Sequence, residues 1–357
     1  MKQIVLSFVM LFAIQFLFAQ EELVFTVIKE NPHTGAKNQQ QAGTCWSFAT
    51  TSFVESELMR IGEKEMDLSE LFFVYYAYVM KMENYIRLHG TANFSQGGQA
   101  HEVFMILDEY GAMPESAFDG YAPGDDVYNH TEMESVLHSM AKVYAKNKKP
   151  GKYWKDATMA ILDIYMGIMP DKFNYKKADY DAVSFRKEMV PLKSDDYVQI
   201  TSFTHHPFYS RFRLEIPDNW LGFPYYNVTL DEMMEIIDYA IENGFTIAWD
   251  GDVSEEGFDH RAGYAILGED DPKPTQENRQ QLFDDFLSTD DHLMHLVGIS
   301  KDEDGNKYYI IKNSWGTKLN DYEGLLHMSE DYVKLKTISL FLHKDAIPKE
   351  IREKIGL

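Results

Sequence analysis

The sequence predicts an α+β protein in two lobes, a helical front and a β-rich back, with a helical insertion between them. Three observations carry that reading. After residue 45, apolar residues recur at helical spacing through the first third of the chain. Residues 121–195 change character: they are rich in Lys, Asp, Tyr and Met and are broken at Pro123-Gly124, Pro150-Gly151 and Pro170. Beyond Pro191, short β-rich runs alternate with turn signals such as Asp304-Gly305. Hydrophobic residues make up 45% of the 357, which supplies a core and argues against a disordered chain. The implied divisions are residues 1–19 as an export signal, 20–120 as the helical lobe, 121–195 as the insertion and 196–357 as the β-rich lobe.

Taken in order, the chain opens with Lys2, a nearly unbroken apolar run over residues 4–18, Ala19, and then polar Gln20-Glu21-Glu22. That is the pattern of a secretory signal peptide, so an exported protein, periplasmic or extracellular, is expected. Left uncleaved, an apolar run of about 15 residues would act instead as a membrane anchor. Residues 23–37 read as extended, with breaks at Asn31-Pro32 and Thr34-Gly35. A helix follows from Cys45 through Trp46, Ala49 and Phe53, ending near Gly62. A second starts at Asp67-Leu68-Ser69-Glu70 and runs to about Arg87. Gln96-Gly97-Gly98 is a glycine turn, and a third helix covers about 99–110, stopped by Gly111. In the insertion, residues 131–146 form an amphipathic helix with basic residues at its end, which suits the helix dipole. Strands are expected at 197–203 and 211–216. Thr229 caps a helix over 230–243, stopped by Gly244. Further strands are expected at 245–249, 292–300, 308–312, 325–328 and 337–342.

Charge narrows the function classes. Asp plus Glu is 57 against 34 Lys plus Arg, a formal charge of −23. Such a chain is repelled by nucleic acid and by anionic membranes, both polyanions, so neither is expected as a partner. A single cysteine forbids an internal disulfide and any zinc site built from several thiolates. His292 and His295 stand three apart on a strand and point to opposite faces, so they cannot easily share an ion. No metal and no other cofactor is expected. His205-His206 read as loop residues, and Asp250 and Asp252 as loop carboxylates. Asn93, Asn129 and Asn227 match glycosylation acceptors.

The lone thiol carries the chemistry. Cys45 stands at a helix N-terminus, where unsatisfied N–H groups and positive potential favour the thiolate, its reactive form. Nucleophilic catalysis by cysteine needs a base to move the proton and a third group to hold that base. His292 opens one predicted strand and Asn313 follows the next, so the two can meet across a β-ladder. His295 competes with His292 for the role of base. The Gln39 side chain and the Cys45 backbone N–H can serve as donors to an oxyanion.

Gln39, Gly43, Cys45-Trp46-Ser47-Phe48-Ala49, Leu68-Ser69-Glu70, Gly97-Gly98, His292 and Asn313-Ser314-Trp315-Gly316 together resemble the papain-like cysteine peptidases, in the same order along the chain. The resemblance spans residues 37–316. It implies the papain-like two-lobed fold, with a helical lobe and a β-barrel-like lobe, and peptide substrates. It assigns Cys45 as nucleophile and His292 as acid/base, paired as thiolate and imidazolium. Asn313 orients the imidazole, Trp315 shields that hydrogen bond, Gln39 completes the oxyanion hole, and Gln96, Gly97 and Gly98 line the cleft. The register also favours His292 over His295, because an apolar strand must follow the histidine before Gly298.

Three departures point to one branch. Ala42 stands where secreted members carry a disulfide cysteine. His292 follows Cys45 by 247 residues, against roughly 130–150 residues between the corresponding elements in papain. Only about 25 residues separate the signal from Cys45, too few for an inhibitory propeptide. These features resemble the bleomycin hydrolase and aminopeptidase C branch, as do residues 25–30, Trp249 with residues 251–255, and residues 348–352. That branch implies aminopeptidase action and a homo-oligomer, a hexamer. Its C-terminal arm restricts cleavage to free amino ends. This sequence stops at Leu357, soon after Pro348, without a longer arm. Amino-blocked peptides are therefore expected to be cut as well, which leaves endopeptidase action open. A non-catalytic peptide-binding protein on the same fold is the remaining alternative.

Overall fold

The computed structural model describes residues 23–147 and 149–357; the export signal assigned to residues 1–19 lies outside them. In the front lobe, α1 (Cys45–Arg60) is buried from Trp46 to Leu58. A helix buried on all sides belongs at the centre of a large fold. Small residues at Ala49, Thr50, Thr51 and Ser52 let its neighbours approach closely. Around it stand α2 (Glu70–Arg87) and α3 (Ala100–Glu109). Ser69 caps α2 by accepting from the Phe72 N–H at 3.0 Å. Glu102 reaches back to the Gln99 N–H at 2.9 Å to fix the start of α3.

The middle block contains α4 (Thr131–Lys146), α5 (Trp154–Met166), a hairpin of β2 (Phe173–Tyr175) and β3 (Ala178–Tyr180), and α6 (Ala182–Met189). Met133, Leu137, Ala141, Leu162 and Met166 are buried in the same apolar cluster as the side chains of α1 to α3. The block packs chiefly on α2.

The back lobe is built on one mixed sheet. β1 (Thr26–Glu30) lies along the far half of β10 (His292–Lys301). The remaining strands run in the order β5 (Arg211–Arg213), β6 (Pro224–Asn227), β4 (Tyr197–Thr201), β13 (Thr337–His343), β7 (Ile247–Gly251), β10, β11 (Lys307–Lys312), β12 (Leu325–Ser329), β9 (Tyr264–Ala265) and β8 (Phe258–Asp259). β4–β6 and β12–β9 are parallel and the other pairs antiparallel. The helices α7 (Leu230–Glu242), α8 (Gln276–Asp284), α9 (Glu330–Lys336) and α10 (Lys349–Ile355) complete the lobe. Met294 and Leu296 of β10 enter its core, whereas Leu293 turns toward the helical lobe.

Three expected strands differ in extent, and the one expected at 211–216 stops at Arg213. The strand expected at 245–249 begins at Ile247, because Gly244 takes φ +86° and the Phe245 N–H closes the end of α7 on the Ala240 carbonyl. The strand from Tyr197 stops at Thr201; the Phe203 N–H is taken by the Asn227 side chain. Asn227 is fully buried in that network, so it is no glycosylation acceptor. No helix among the described residues is long and apolar enough to cross a membrane.

The lobes meet along α1, which packs on β10. Phe53 stands at the seam, its ring within 5.8–6.3 Å of Phe104, Tyr197, His295 and Phe341.

Candidate active site

Cys45 is the first residue of α1, and Thr44 before it makes no side-chain cap. No acidic residue occupies the first turn. The Ser47 and Phe48 N–H groups go to the Thr44 carbonyl, which leaves those of Cys45 and Trp46 for whatever binds at the helix end. Cys45 is half-buried as a residue, and the Leu293 backbone N–H hydrogen-bonds its sulfur. That contact ties the sulfur to the start of β10, at the residue that follows His292.

The β10–β11 ladder explains the rest. His295 pairs with Lys312. Carried three residues past the end of β11, that register puts His292 level with Trp315 and close to Asn313. His292 Nε2 lies 2.8 Å from Asn313 Oδ1, and the Trp315 ring stacks on the imidazole with centroids 5.0 Å apart. Asn313 thus takes Nε2, leaving Nδ1 as the nitrogen available to the thiol. Both His292 and Asn313 are buried. His295 faces the other way, hydrogen-bonded through Nδ1 to Ser52 of α1 at 2.7 Å. The structure joins His292, not His295, to Asn313.

Gln39 is held against the same loop. Its backbone N–H donates to the Ser314 carbonyl at 2.8 Å, and Ser314 Oγ donates to its Oε1. One Nε2 hydrogen goes to the Ala42 carbonyl at 2.8 Å. An amide nitrogen carries two donors, so a second remains for an oxyanion.

The Gln96 turn also supports the loop before Cys45. Gln96 Oε1 accepts from the Gly43 N–H at 2.7 Å, and its carbonyl accepts from the Trp46 indole at 3.0 Å. The side chain buttresses the turn before Cys45. A Cβ on Gly97 would fall on the Asp218 carboxylate, and one on Gly98 would lie 2.8 Å from Glu102. Glycine at both positions lets the Asp218 and Glu102 carboxylates approach the turn closely.

Three carboxylates surround the nucleophile, and the sequence reading gave none of them a role. Asp290 stands two residues before His292 and accepts from Gln99 Nε2 at 3.0 Å. Asp250 is a buried residue of β7 opposite Leu293, not a loop carboxylate, and accepts from Ser339 at 3.1 Å. Asp218 arrives from the β5–β6 connection. Burial pushes the Cys45 thiol up to about 12, and these three charges add to the effect. Burial likewise pulls His292 down to about 4, only partly offset by its bond to Asn313. Burial of each group therefore works against its charged form, in opposition to the helix N-terminus. Burial also raises Asp250 to about 7 and raises Asp290.

The sequence reading also missed His260, whose Nδ1 lies 3.1 Å from Asn313 Nδ2. It sits in the turn between β8 and β9, where no motif marks it. His205 and His206 lie in the β4–β5 connection, as expected, and both bond to Glu215.

Residues 17–356 match the Peptidase C1-like family. Aminopeptidase G of Lactobacillus delbrueckii subsp. lactis is 24% identical, over 91% of this chain and 84% of its own. The mitochondrial cysteine proteinase 1 of Saccharomyces cerevisiae is 20% identical, over 94% and 80%. The crystal structure of PepW from Lactobacillus rhamnosis shares the fold, with a TM-score of 0.74 and 19% identity over 93% of this chain and 84% of that one. The chain belongs to the Peptidase C1-like family and is a papain-like cysteine peptidase.

Proposed function

We propose that Cys45, His292 and Asn313 hydrolyse peptide bonds, with Gln39 and the Cys45 backbone N–H binding the oxyanion. The observation that carries this reading is the 2.8 Å bond from His292 to Asn313 under Trp315, at the end of the helix that bears the thiol. As the sulfur attacks the carbonyl carbon, His292 Nδ1 takes the thiol proton. The tetrahedral oxyanion is met by Gln39 Nε2 and the helix N-terminus. The imidazolium then gives its proton to the leaving amine as the C–N bond breaks. Water, deprotonated by His292, releases the acyl group and restores the thiol.

The finer reading is an aminopeptidase. Relatives named aminopeptidases support it, and so does the charge around the nucleophile. Asp290, Asp250 and Asp218 oppose the thiolate in the empty site. A substrate ammonium close to the scissile bond would neutralise them, so a free amino end favours both binding and attack. Charge of this kind gives preference, not exclusion, and blocked peptides are still cut, more slowly. A homo-oligomer and export with removal of residues 1–19 complete the proposal.

The test is one long peptide with a free or an acetylated amino end. Cleavage of the free form at least tenfold faster, releasing residues from that end, supports the reading. Asp290→Asn should shrink the ratio. Equal rates with internal cuts would make the protein an endopeptidase, and binding without cleavage would make it a peptide-binding protein.

A further inference from the structure

We propose that His260 is a positioning residue for catalysis: it fixes the orientation of the Asn313 amide and thereby that of His292. The inference rests on the reading of Cys45, His292 and Asn313 as the reacting set.

Asn313 has two ends that must not exchange. Its Oδ1 accepts from His292 Nε2 and from the Ser314 backbone N–H, at 2.8 and 2.7 Å. Its Nδ2 can only donate, and the group facing it is His260 Nδ1 at 3.1 Å. A neutral imidazole has one donor and one acceptor nitrogen, so Nδ1 must be the bare acceptor and Nε2 the protonated one. Were the amide to flip, two N–H groups would meet at Ser314, and His260 would have to exchange tautomer to follow. Ser314 thus sets which end of the amide faces His292, and His260, as the Nε2–H tautomer, holds the Nδ2 end in that place.

The turn is built to hold this ring. Asp259 Oδ1 accepts from the Arg261 and Ala262 N–H groups at 3.0 and 2.9 Å. Asn320 Nδ2 donates to the His260 carbonyl at 3.0 Å. Gly263 has φ +80°, and a Cβ there would strike the Tyr322 ring. The His260 ring stands edge-on to Trp315 at 4.9 Å, so one indole touches both imidazoles.

A structural role alone explains this poorly. His260 is buried, and among the described residues its Nε2 has no hydrogen-bond partner. A buried donor without a partner weakens a fold. A phenylalanine would fill the same space and remove that defect, at the cost of the acceptor facing Asn313 Nδ2.

The experiment compares His260→Phe, which keeps a ring and loses the acceptor, with His260→Asn, whose Oδ1 can replace Nδ1. Thermal midpoints and kcat and KM on a fluorogenic aminoacyl amide are measured for both. His260→Phe should lower kcat about tenfold with KM unchanged, at a nearly unchanged midpoint, since the lost Nε2 donor offsets the acceptor lost to Asn313. His260→Asn should stay within about threefold of the parent kcat. Wild-type kcat in His260→Phe, or equal losses in both variants, would overturn the proposal. Nitrogen-15 shifts of His260 in the unaltered protein give a second reading: the Nε2–H tautomer is expected, and Nδ1–H would overturn it even if neither variant folds. Full activity in His292→Ala would instead overturn the underlying assignment of the site.

Discussion

At the scale of single residues, the state of Cys45 is decided by magnitudes. A helix N-terminus stabilises an anion by about 0.3–2 kcal/mol, worth at most about 1.5 pH units. Burial and three carboxylates take the thiol from 9.0 to about 12. Attraction between unit charges 4 Å apart recovers about 4 kcal/mol at an effective dielectric of 20, or about three pH units. Burial, which disfavours the charged form of both groups, opposes that attraction. Because a raised pKa keeps the thiol protonated until high pH, the rate of Cys45 alkylation by iodoacetamide should climb steadily from pH 6 to pH 9. A rate already flat at pH 6 would show a preformed thiolate. Cys45→Ser should abolish peptide hydrolysis. Asn313→Ala should cost less, about 10- to 100-fold in kcat, since the imidazole is still present but loses its fixed orientation.

At the scale of elements, Cys45 and His292 sit on different lobes, which are tied by side chains two turns further along α1. Ser52 of α1 accepts from Lys312 Nζ at 2.7 Å and bonds His295 Nδ1 at 2.7 Å; Lys312 also reaches Thr34 at 2.9 Å. Ser52→Ala leaves buried polar atoms on β10 and β11 unpaired, and should lower unfolding stability by about 1–3 kcal/mol. An unchanged urea midpoint would remove that role. The same elements show what a sequence discloses. α1, α2, α4 and α7 were legible because Cys45, Ser69, Thr131 and Thr229 mark their starts and their apolar faces keep helical spacing. α5, α6 and α8 to α10 were not assigned; α8 is polar over most of its length and held by Arg279 and Gln280 reaching into the β lobe. Cys45, His292 and Asn313 were legible from local motifs. His260, Asp218 and Asp250 were not, since only the sheet order and the long connections bring them to the site.

At the scale of the molecule, the two lobes share a core. Tyr197, Ala248, Leu293 and Phe341 come from the back half, yet belong to the apolar cluster of α1 to α3. Phe53 touches three of the rings that join them. Phe53→Ala should cost about 3–5 kcal/mol and shift a single unfolding transition seen alike by near- and far-UV signals. Two separated transitions, with only one moved, would mean that the lobes unfold independently. The central claim is that the sulfur of Cys45 becomes covalently acylated during turnover. Rapid acid quenching of the protein with a slowly hydrolysed aminoacyl ester, followed by intact-mass and peptide mapping, tests it directly. The account predicts one acyl group per chain, on Cys45, absent in Cys45→Ser and accumulating more slowly in His292→Ala. Hydrolysis with no adduct at residue 45, or an adduct on another side chain, would contradict it.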